Sequence, residues 1–432
     1  LSQRDRLTNF SQDDDIPLTA FRHDYTDSNG TEPKPYLGPL PIINAAINLA
    51  TPDTGKQERR ADSFVFTPYY CGFHTGADST EAAEDAAQQH FLSTQEYCDP
   101  LSLGHVFTVS GAAASPNMGY HTSGAVALLM TIFNVRLGWW FPNPAETYKD
   151  KWSPRVGILP LVRELFALAD KNYSFVYVSD GGHFENLGVY ELLRRRCRYI
   201  ICCDAEEDGE FCFGGLGGLV RKARADFGIE IQIDPRSIAR RNERGDSEVH
   251  CAVGNIWYPE SDLTGTLLYL KSSVTGDEPA DILQYRAAEK KFPHQTTGDQ
   301  FFSESQFESY RRLGYHIART VFKPIRDSRG KLPFQRGTHK YRPDEALRKT
   351  FIALREAWGA APHYDIQDFT ALSLRLDTVM ERLRQDPQLA FLIPEFYLQW
   401  KQVCEKTAII RVPEGKKAEQ PSSEKSVACK DT

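Results

Sequence analysis

The stretch YSFVYVSDGGHFENLGVYELLRRRCRYIICCDA, residues 173–205, decides how this chain is read. An apolar run over 173–178 leads to an acid, Asp180, followed by Gly181 and Gly182. A short polar loop then gives way to a helical pattern over 187–197, with Leu187, Tyr190 and Leu193 at one-face spacing and Asn186 as the expected cap. A second apolar run follows at 198–205. Asp-Gly is an ordinary turn, because both residues favour turns for local reasons. Its position adds a chemical reading. In open α/β sheets, chemistry collects at the carboxyl ends of parallel strands. Two glycines there admit backbone conformations that other residues resist, and they leave room for a substrate. His183 is the next side chain able to line such a site; the alternative is a loop histidine facing solvent.

The pattern continues outward. Residues 216–228 read as a helix closed by Gly228, and 229–234 alternate as a strand. Strand–helix–strand–helix–strand predicts a βαβ unit and a parallel sheet. Upstream, strands are expected at 41–50 and 63–76, a helix from 79 capped by Ser79 or Thr80, and a strand at 104–120 that feeds a small-residue loop. Downstream, 265–273 reads as a strand and 303–322 as a helix opened by a Ser303–Gln306 capping box. A linker over 324–343 precedes a helix at 344–358 with Leu347, Phe351, Leu354 and Trp358 on one face. Further helical stretches fall around 366–385 and 395–406, and 413–432 reads as a disordered tail.

Composition sets bounds. The 432 residues suit two to three domains of about 150 residues. A hydrophobic content of 41% suffices for a sizeable core. The net charge of −7 predicts no nucleic-acid partner. Nine cysteines, an odd number that includes the adjacent Cys202 and Cys203, argue against a disulfide framework and for a reducing compartment. The longest apolar run, 124–133, is shorter than the roughly 20 residues that span a bilayer. A cytoplasmic or peripheral-membrane protein is therefore expected. The chain opens on Leu1 within a loop-like segment, as a piece of a longer protein would, and a longer protein could carry its own membrane attachment.

SDGGHFENLGVYELLRRRCRYIICCDA resembles the Asp-Gly-Gly/Ala segment of the patatin-like and cytosolic phospholipase A lipid acyl hydrolases, and more narrowly a bacterial subgroup of them. SFVFTPYYCGFHTG, SGAAASPNMGY, VRKARADFGIEI and FPHQTTGDQFFSESQFESYRRLG extend the resemblance over about residues 40–322. It implies an α/β fold: a patatin-like three-layer sandwich with a mostly parallel central sheet, incomplete at the N-terminus. Residues 1–325 would form that domain, 326–412 a C-terminal helical extension, and 413–432 the tail. The family uses a Ser–Asp dyad, with the Ser in G-x-S-x-G at a strand-to-helix elbow, the Asp of D-G-G/A as general base, and a glycine-rich loop as oxyanion hole.

Carried onto this chain, the resemblance makes Asp180 the base. It places Gly181, Gly182 and His183 beside it, and sets Ser110 and Gly111 of SGAAASPNMG near the site. Residues 123–172 would be an insertion. The chain contains no G-x-S-x-G. PLSLG around Ser102 has Pro100 where Gly is needed, and Ser110 and Ser123 also fail. The family order puts the glycine-rich loop and the Ser upstream of residue 1. The implied activity is a serine lipid acyl hydrolase, phospholipase A or lysophospholipase-like, acting on a glycerolipid or phospholipid with peripheral membrane contact, and with neither metal nor organic cofactor. The alternative is a non-catalytic lipid-binding or scaffolding module that lacks the nucleophile.

Other motifs are weaker. Cys71 and His74 have C-x-x-H spacing, but no second pair completes a zinc site. GGLGG at 214–218 is not G-x-G-x-x-G, and TGKQ at 54–57 is not a phosphate loop. His250 and Cys251 are strand neighbours that point to opposite faces. The clusters Arg194–Arg196, Arg221/Lys222/Arg224 and Arg236/Arg240/Arg241/Arg244 read as solvated faces, which would attract anionic lipid only if they share a face with Asp180.

Overall fold

A computed structural model describes residues 11, 14–24, 36–49, 59–74, 90–98, 101–113, 137–145, 173–259, 264–296, 298–299, 301–325 and 343–359. The chain divides into the units Leu1–Trp358 and Gly359–Thr432, and the described residues belong to the first apart from Gly359. The expectations for 79–89, for 114–136, for the helices around 366–385 and 395–406, and for the tail lie outside these residues.

Among the described residues, ten strands form two sheets. Six of them build the first: β1 (Ile43–Asn48), β2 (Ala61–Phe66), β3 (Tyr70–Phe73), β4 (Phe91–Ser93), β5 (Trp139–Pro142) and β6 (Phe175–Asp180), in the order β4-β3-β2-β1-β6-β5. Every pairing in this sheet is antiparallel. The second sheet holds β7 (Tyr199–Asp204), β8 (Glu230–Gln232), β9 (Cys251–Trp257) and β10 (Thr264–Lys271), in the order β7-β10-β9-β8. Only its β7–β10 pairing is parallel; β9 runs antiparallel to both of its neighbours.

The fold is mixed α/β, but the expected mostly parallel central sheet is corrected. β6 and β7 belong to different sheets, so the strand–helix–strand pattern at 173–205 is not a crossover within one sheet. The apolar run misled for a physical reason. β6 is covered on both faces: Val176 and Val178 enter one core, and Tyr177 packs against Trp140 with ring centroids 5.3 Å apart. Covering both faces gives the continuous apolar run typical of parallel strands, although this strand is antiparallel to β1 and β5.

The helices are α1 (Leu103–Ser110), α2 (Tyr190–Arg194), α3 (Gly214–Phe227), α4 (Arg236–Ala239), α5 (Ala280–Ala288), α6 (Glu304–Val321) and α7 (Pro343–Trp358). Residues 103–110 were expected as strand and are helical. Ser102 caps α1, its Oγ accepting from the His105 amide at 3.2 Å, and Val106 and Val109 are buried at helical spacing. Likewise Phe91–Ser93 is a strand where a helix was expected to run. The GGLGG run opens α3, and Gly228 (φ +61°) closes that helix, as expected. Ser303 caps α6, with its Oγ 3.2 Å from the Gln306 amide. On α7 the buried positions include Ala346, Thr350, Phe351 and Leu354, whereas Leu347 is exposed, so the apolar face is rotated from the expected one.

The four-stranded sheet carries cores on both faces. Leu267 and Tyr269 of β10 join Leu193 of α2 and Leu219 of α3. The alternate residues Leu268 and Leu270 join Leu313 and Ile317 of α6 and Phe351 and Leu354 of α7. The six-stranded sheet packs Phe64, Phe66, Phe73 and Phe141 against Tyr97, Val106 and Val109. Among the described residues, no helix is long and apolar enough to cross a membrane.

Each basic cluster has at least one arginine paired with an acid. Arg194 meets Glu191 at 2.8 Å, Arg224 meets Glu230 at 2.6 Å, Arg236 meets Asp234 at 2.6 Å, and Arg240 meets Glu248 at 3.4 Å. Burial pushes the thiols of Cys71, Cys98 and Cys251 up to about 12, so these are inert, packed sulfurs.

Burial also lowers His105 and His294 from the ordinary imidazole value. The unfolded chain takes up these protons at about pH 6.5, while the folded chain resists until lower pH. Stability is therefore complete above about 6.5 and is lost as the pH falls below it. The denaturant midpoint is expected to drop between pH 7.5 and 5.5, and His294→Gln is expected to flatten that drop. An unchanged slope in the variant would remove His294 from the account.

Candidate functional site

Asp180 is the last residue of β6, paired in register with Ala45 of β1. A short 3-10 turn, Gly181–His183, begins immediately after it. The turn forms because the Asp180 Oδ1 accepts from the Gly182 amide at 2.6 Å, an Asp side chain bonding its own backbone two residues on. The carboxylate is half-buried. Beside it lies a cleft of about 350 Å³, within the size range of small-molecule sites. Its walls come from Ile42, Ile43 and Asn44 at the start of β1, Phe107 and Ser110 on α1, Asp180, Gly181 and Gly182, and Glu185 through Gly188.

Both glycines are required by close approach. A Cβ on Gly181 would stand 2.9 Å from the Asn44 carbonyl oxygen, and one on Gly182 would stand 2.5 Å from the Asn186 Oδ1 and 3.1 Å from the Asp180 Oδ1. The two differ in what must yield. Gly181 faces backbone and Gly182 faces side chains. Gly181→Ala is thus expected to cost about 1–3 kcal/mol, as overpacking does, and Gly182→Ala less. Urea midpoints of the two variants measure this; the reverse order would refute the packing account.

Of the residues expected near the site, Asp180, Gly181, Gly182 and Ser110 share the cleft. The Ser110 hydroxyl donates to the Asn44 carbonyl at 2.6 Å, so its proton is held by backbone. Gly111 ends α1, its amide bonding back to Phe107 O at 3.0 Å. His183 is not among the lining residues. Its Nδ1 lies 2.8 Å from Ser179 Oγ and its Nε2 lies 3.2 Å from Ala113 O. Asn48 donates to the same Ser179 hydroxyl at 2.8 Å, so this chain of polar contacts anchors the turn to β1 and to the end of α1.

Sequence reasoning missed Asn44, Phe107, Glu185 and Asn186. Glu185, rather than Asn186, caps α2. Its carboxylate accepts from the amides of Leu187 at 2.6 Å, Val189 at 2.9 Å and Tyr190 at 3.0 Å. Burial nevertheless holds Glu185 above the usual carboxylate range, with the three amides and the Lys222 charge pulling the other way. Lys222 is itself lowered by burial, and its ammonium lies 5.5 Å over the Phe184 ring. Asn186 reaches across to the second sheet, donating to Glu206 Oε1 at 2.5 Å; burial raises Glu206 also. An acid a few residues before a helical pattern was the available signal for Glu185. The Asn186–Glu206 link had none.

Chemically, the cleft offers one half-exposed carboxylate oriented by a backbone amide, with small residues around it. An acid so placed can take a proton from a group that enters the cleft. No protein-family model and no curated protein matches the chain. One solved structure, human GIVD cytosolic phospholipase A2, aligns over 74% of this chain at 13% identity and a TM-score of 0.37; this chain spans 45% of that one.

Proposed function

We propose that this chain carries the base-bearing part of a serine lipid acyl hydrolase, with Asp180 as the general base. The observation that carries the reading is Asp180 standing half-buried at the exit of β6, held by the Gly182 amide, beside an open cleft. The sequence resemblance over 40–322 supplies the reaction class: a serine hydroxyl attacks the ester carbonyl of a glycerolipid or phospholipid, its proton passes through Asp180 to the departing lysolipid alcohol, and water, deprotonated by Asp180, hydrolyses the acyl-serine to release the fatty acid and return the serine its proton. A serine hydroxyl is a poor nucleophile without such a base. Ser110 gives its proton to Asn44 O; the chain holds no G-x-S-x-G, and the order in the resembled family puts the nucleophilic serine upstream of these residues. The proposed substrate is presented at a lipid surface, and the protein works there peripherally.

The lack of any G-x-S-x-G in the chain favours a second reading, a lipid-binding module without chemistry. Fatty-acid release from phosphatidylcholine and lysophosphatidylcholine vesicles separates the two. The protein extended by its upstream coding sequence is expected to release fatty acid, to lose that activity in Asp180→Asn, and to keep it in Ser110→Ala. The 432-residue chain alone is expected to release none. Binding to vesicles without hydrolysis by the extended protein would establish the second reading. Loss of activity in Ser110→Ala would put the nucleophile inside this chain.

A further inference from the structure

Four side chains outside the Asp180 cleft converge: His250, just before β9; Asp277 and Glu278, in the turn after β10; and His316, in the middle of α6. Their ligating atoms all lie within 4.8 Å of one another. We propose that these four residues bind one zinc-class divalent cation that fastens α6 to the four-stranded sheet. Donors about 2.0–2.2 Å from a metal stand at most about 4.4 Å apart, so a small inward movement completes the coordination.

The hydrogen bonding orients the four side chains toward one point. The Ser273 hydroxyl lies 3.3 Å from Lys271 O and can donate to it; it then accepts from the Nδ1–H of His250 at 3.0 Å. That tautomer leaves the His250 Nε2 lone pair aimed into the cluster, the outer-shell arrangement that orients metal-bound histidines. One hydroxyl, that of Thr275, faces three acceptors: His250 Nε2 at 3.1 Å, Asp277 Oδ1 at 2.6 Å and Glu278 Oε1 at 3.3 Å. A hydroxyl has one proton and satisfies one of them well. Glu278 is further held by the Thr275 amide at 2.7 Å and the Gly276 amide at 2.8 Å, and the His316 Nε2 lies 3.1 Å from Asp277 Oδ1, so backbone and side-chain contacts fix the ligating atoms around one point.

The charge argument agrees. Among the described residues, the ion pairs of Asp277 and Glu278 are with His316 at 3.1 Å and His250 at 3.9 Å, not with Lys or Arg. His250 and Glu278 are buried. Two imidazoles and two carboxylates suit zinc and related transition metals rather than calcium or magnesium, which take oxygen donors. Four protein ligands make a closed, structural type of site. The resemblance to lipid acyl hydrolases implied no metal, and none of the four residues lines the Asp180 cleft.

The test uses the full 432-residue chain, stripped with EDTA and dialysed against Zn²⁺, with the metal counted by mass spectrometry. One zinc per chain is expected, with a raised thermal midpoint. Asp277→Asn alters an exposed side chain, and His316→Gln alters a partly buried one with a polar replacement of similar reach. Each is expected to keep the wild-type circular dichroism spectrum and to weaken zinc binding at least tenfold. Co²⁺ in place of Zn²⁺ should show ligand-field bands without thiolate charge transfer. Thiolate bands would assign the metal to cysteines and overturn the site. So would no retained zinc, or undiminished binding in the Asp277→Asn/His316→Gln double variant.

Discussion

Asp180→Asn, in the protein that includes its upstream sequence, lowers the rate of fatty-acid release by about 10²–10⁴-fold, the usual contribution of a positioned base. The substitution is nearly isosteric. The Asn Oδ1 can still accept from the Gly182 amide, which Asp180 does at 2.6 Å, so the turn and the cleft persist. The amide has no useful basicity, and the incoming hydroxyl keeps its proton. The expected signature is a fall in kcat with KM changed only a few-fold, since the cleft walls are untouched. The thermal midpoint is expected to stay at the wild-type value. A variant that keeps more than about a tenth of the wild-type kcat would end the assignment of Asp180 as base.

Lys271→Met is expected to produce the largest loss of stability, about 3–5 kcal/mol, the cost of leaving a buried charge without its partner. Lys271 and Asp204 sit opposite each other in the parallel β7–β10 register, with both side chains fully buried and Nζ 2.9 Å from Oδ1. Asp204 also accepts from the Tyr269 hydroxyl and, at 2.8 Å, from the Glu206 amide. Asp208 lies 3.5 Å from the same ammonium. Removing the lysine leaves Asp204 and Asp208 converging without their shared cation. The double variant Asp204→Asn/Lys271→Met removes both charges and is expected to recover most of the loss, because such pairs contribute little net stability over neutral replacements. Urea unfolding followed by tryptophan fluorescence measures both. A loss below about 1 kcal/mol for Lys271→Met would mean that water reaches the pair.

Individual elements were legible where local chemistry determines them. Ile43–Asn48, Phe175–Asp180, Tyr199–Asp204 and Thr264–Lys271 are apolar runs that became strands, and Gly228 and Ser303 end and begin helices through their own backbone and hydroxyl. Partner choice was not legible. The run 173–178 says that a strand is covered on both faces, and nothing in it says that its neighbours are 43–48 and 139–142, antiparallel. Leu103–Ser110 misled because Val, Phe and Thr favour strands, while a single Ser102 cap turned them into a helix. For the site, Asp180 and its glycines were readable from the residue types at the end of an apolar run. Asn44 and Phe107 were not, because they reach the cleft only through the β1–β6 register and the packing of α1.

The two sheets are separated along the chain: strands up to residue 180 build one, and strands from 199 onward build the other. β6 is the last described strand of the first sheet to be made, and it inserts between two that precede it. During synthesis, which folds chains from the N-terminus onward, Asp180 therefore leaves the ribosome with every strand partner of its sheet already translated. The orientation of its carboxylate needs no strand pairing from the later half; the Asn186–Glu206 link and the Lys222 contact with Phe184 await it.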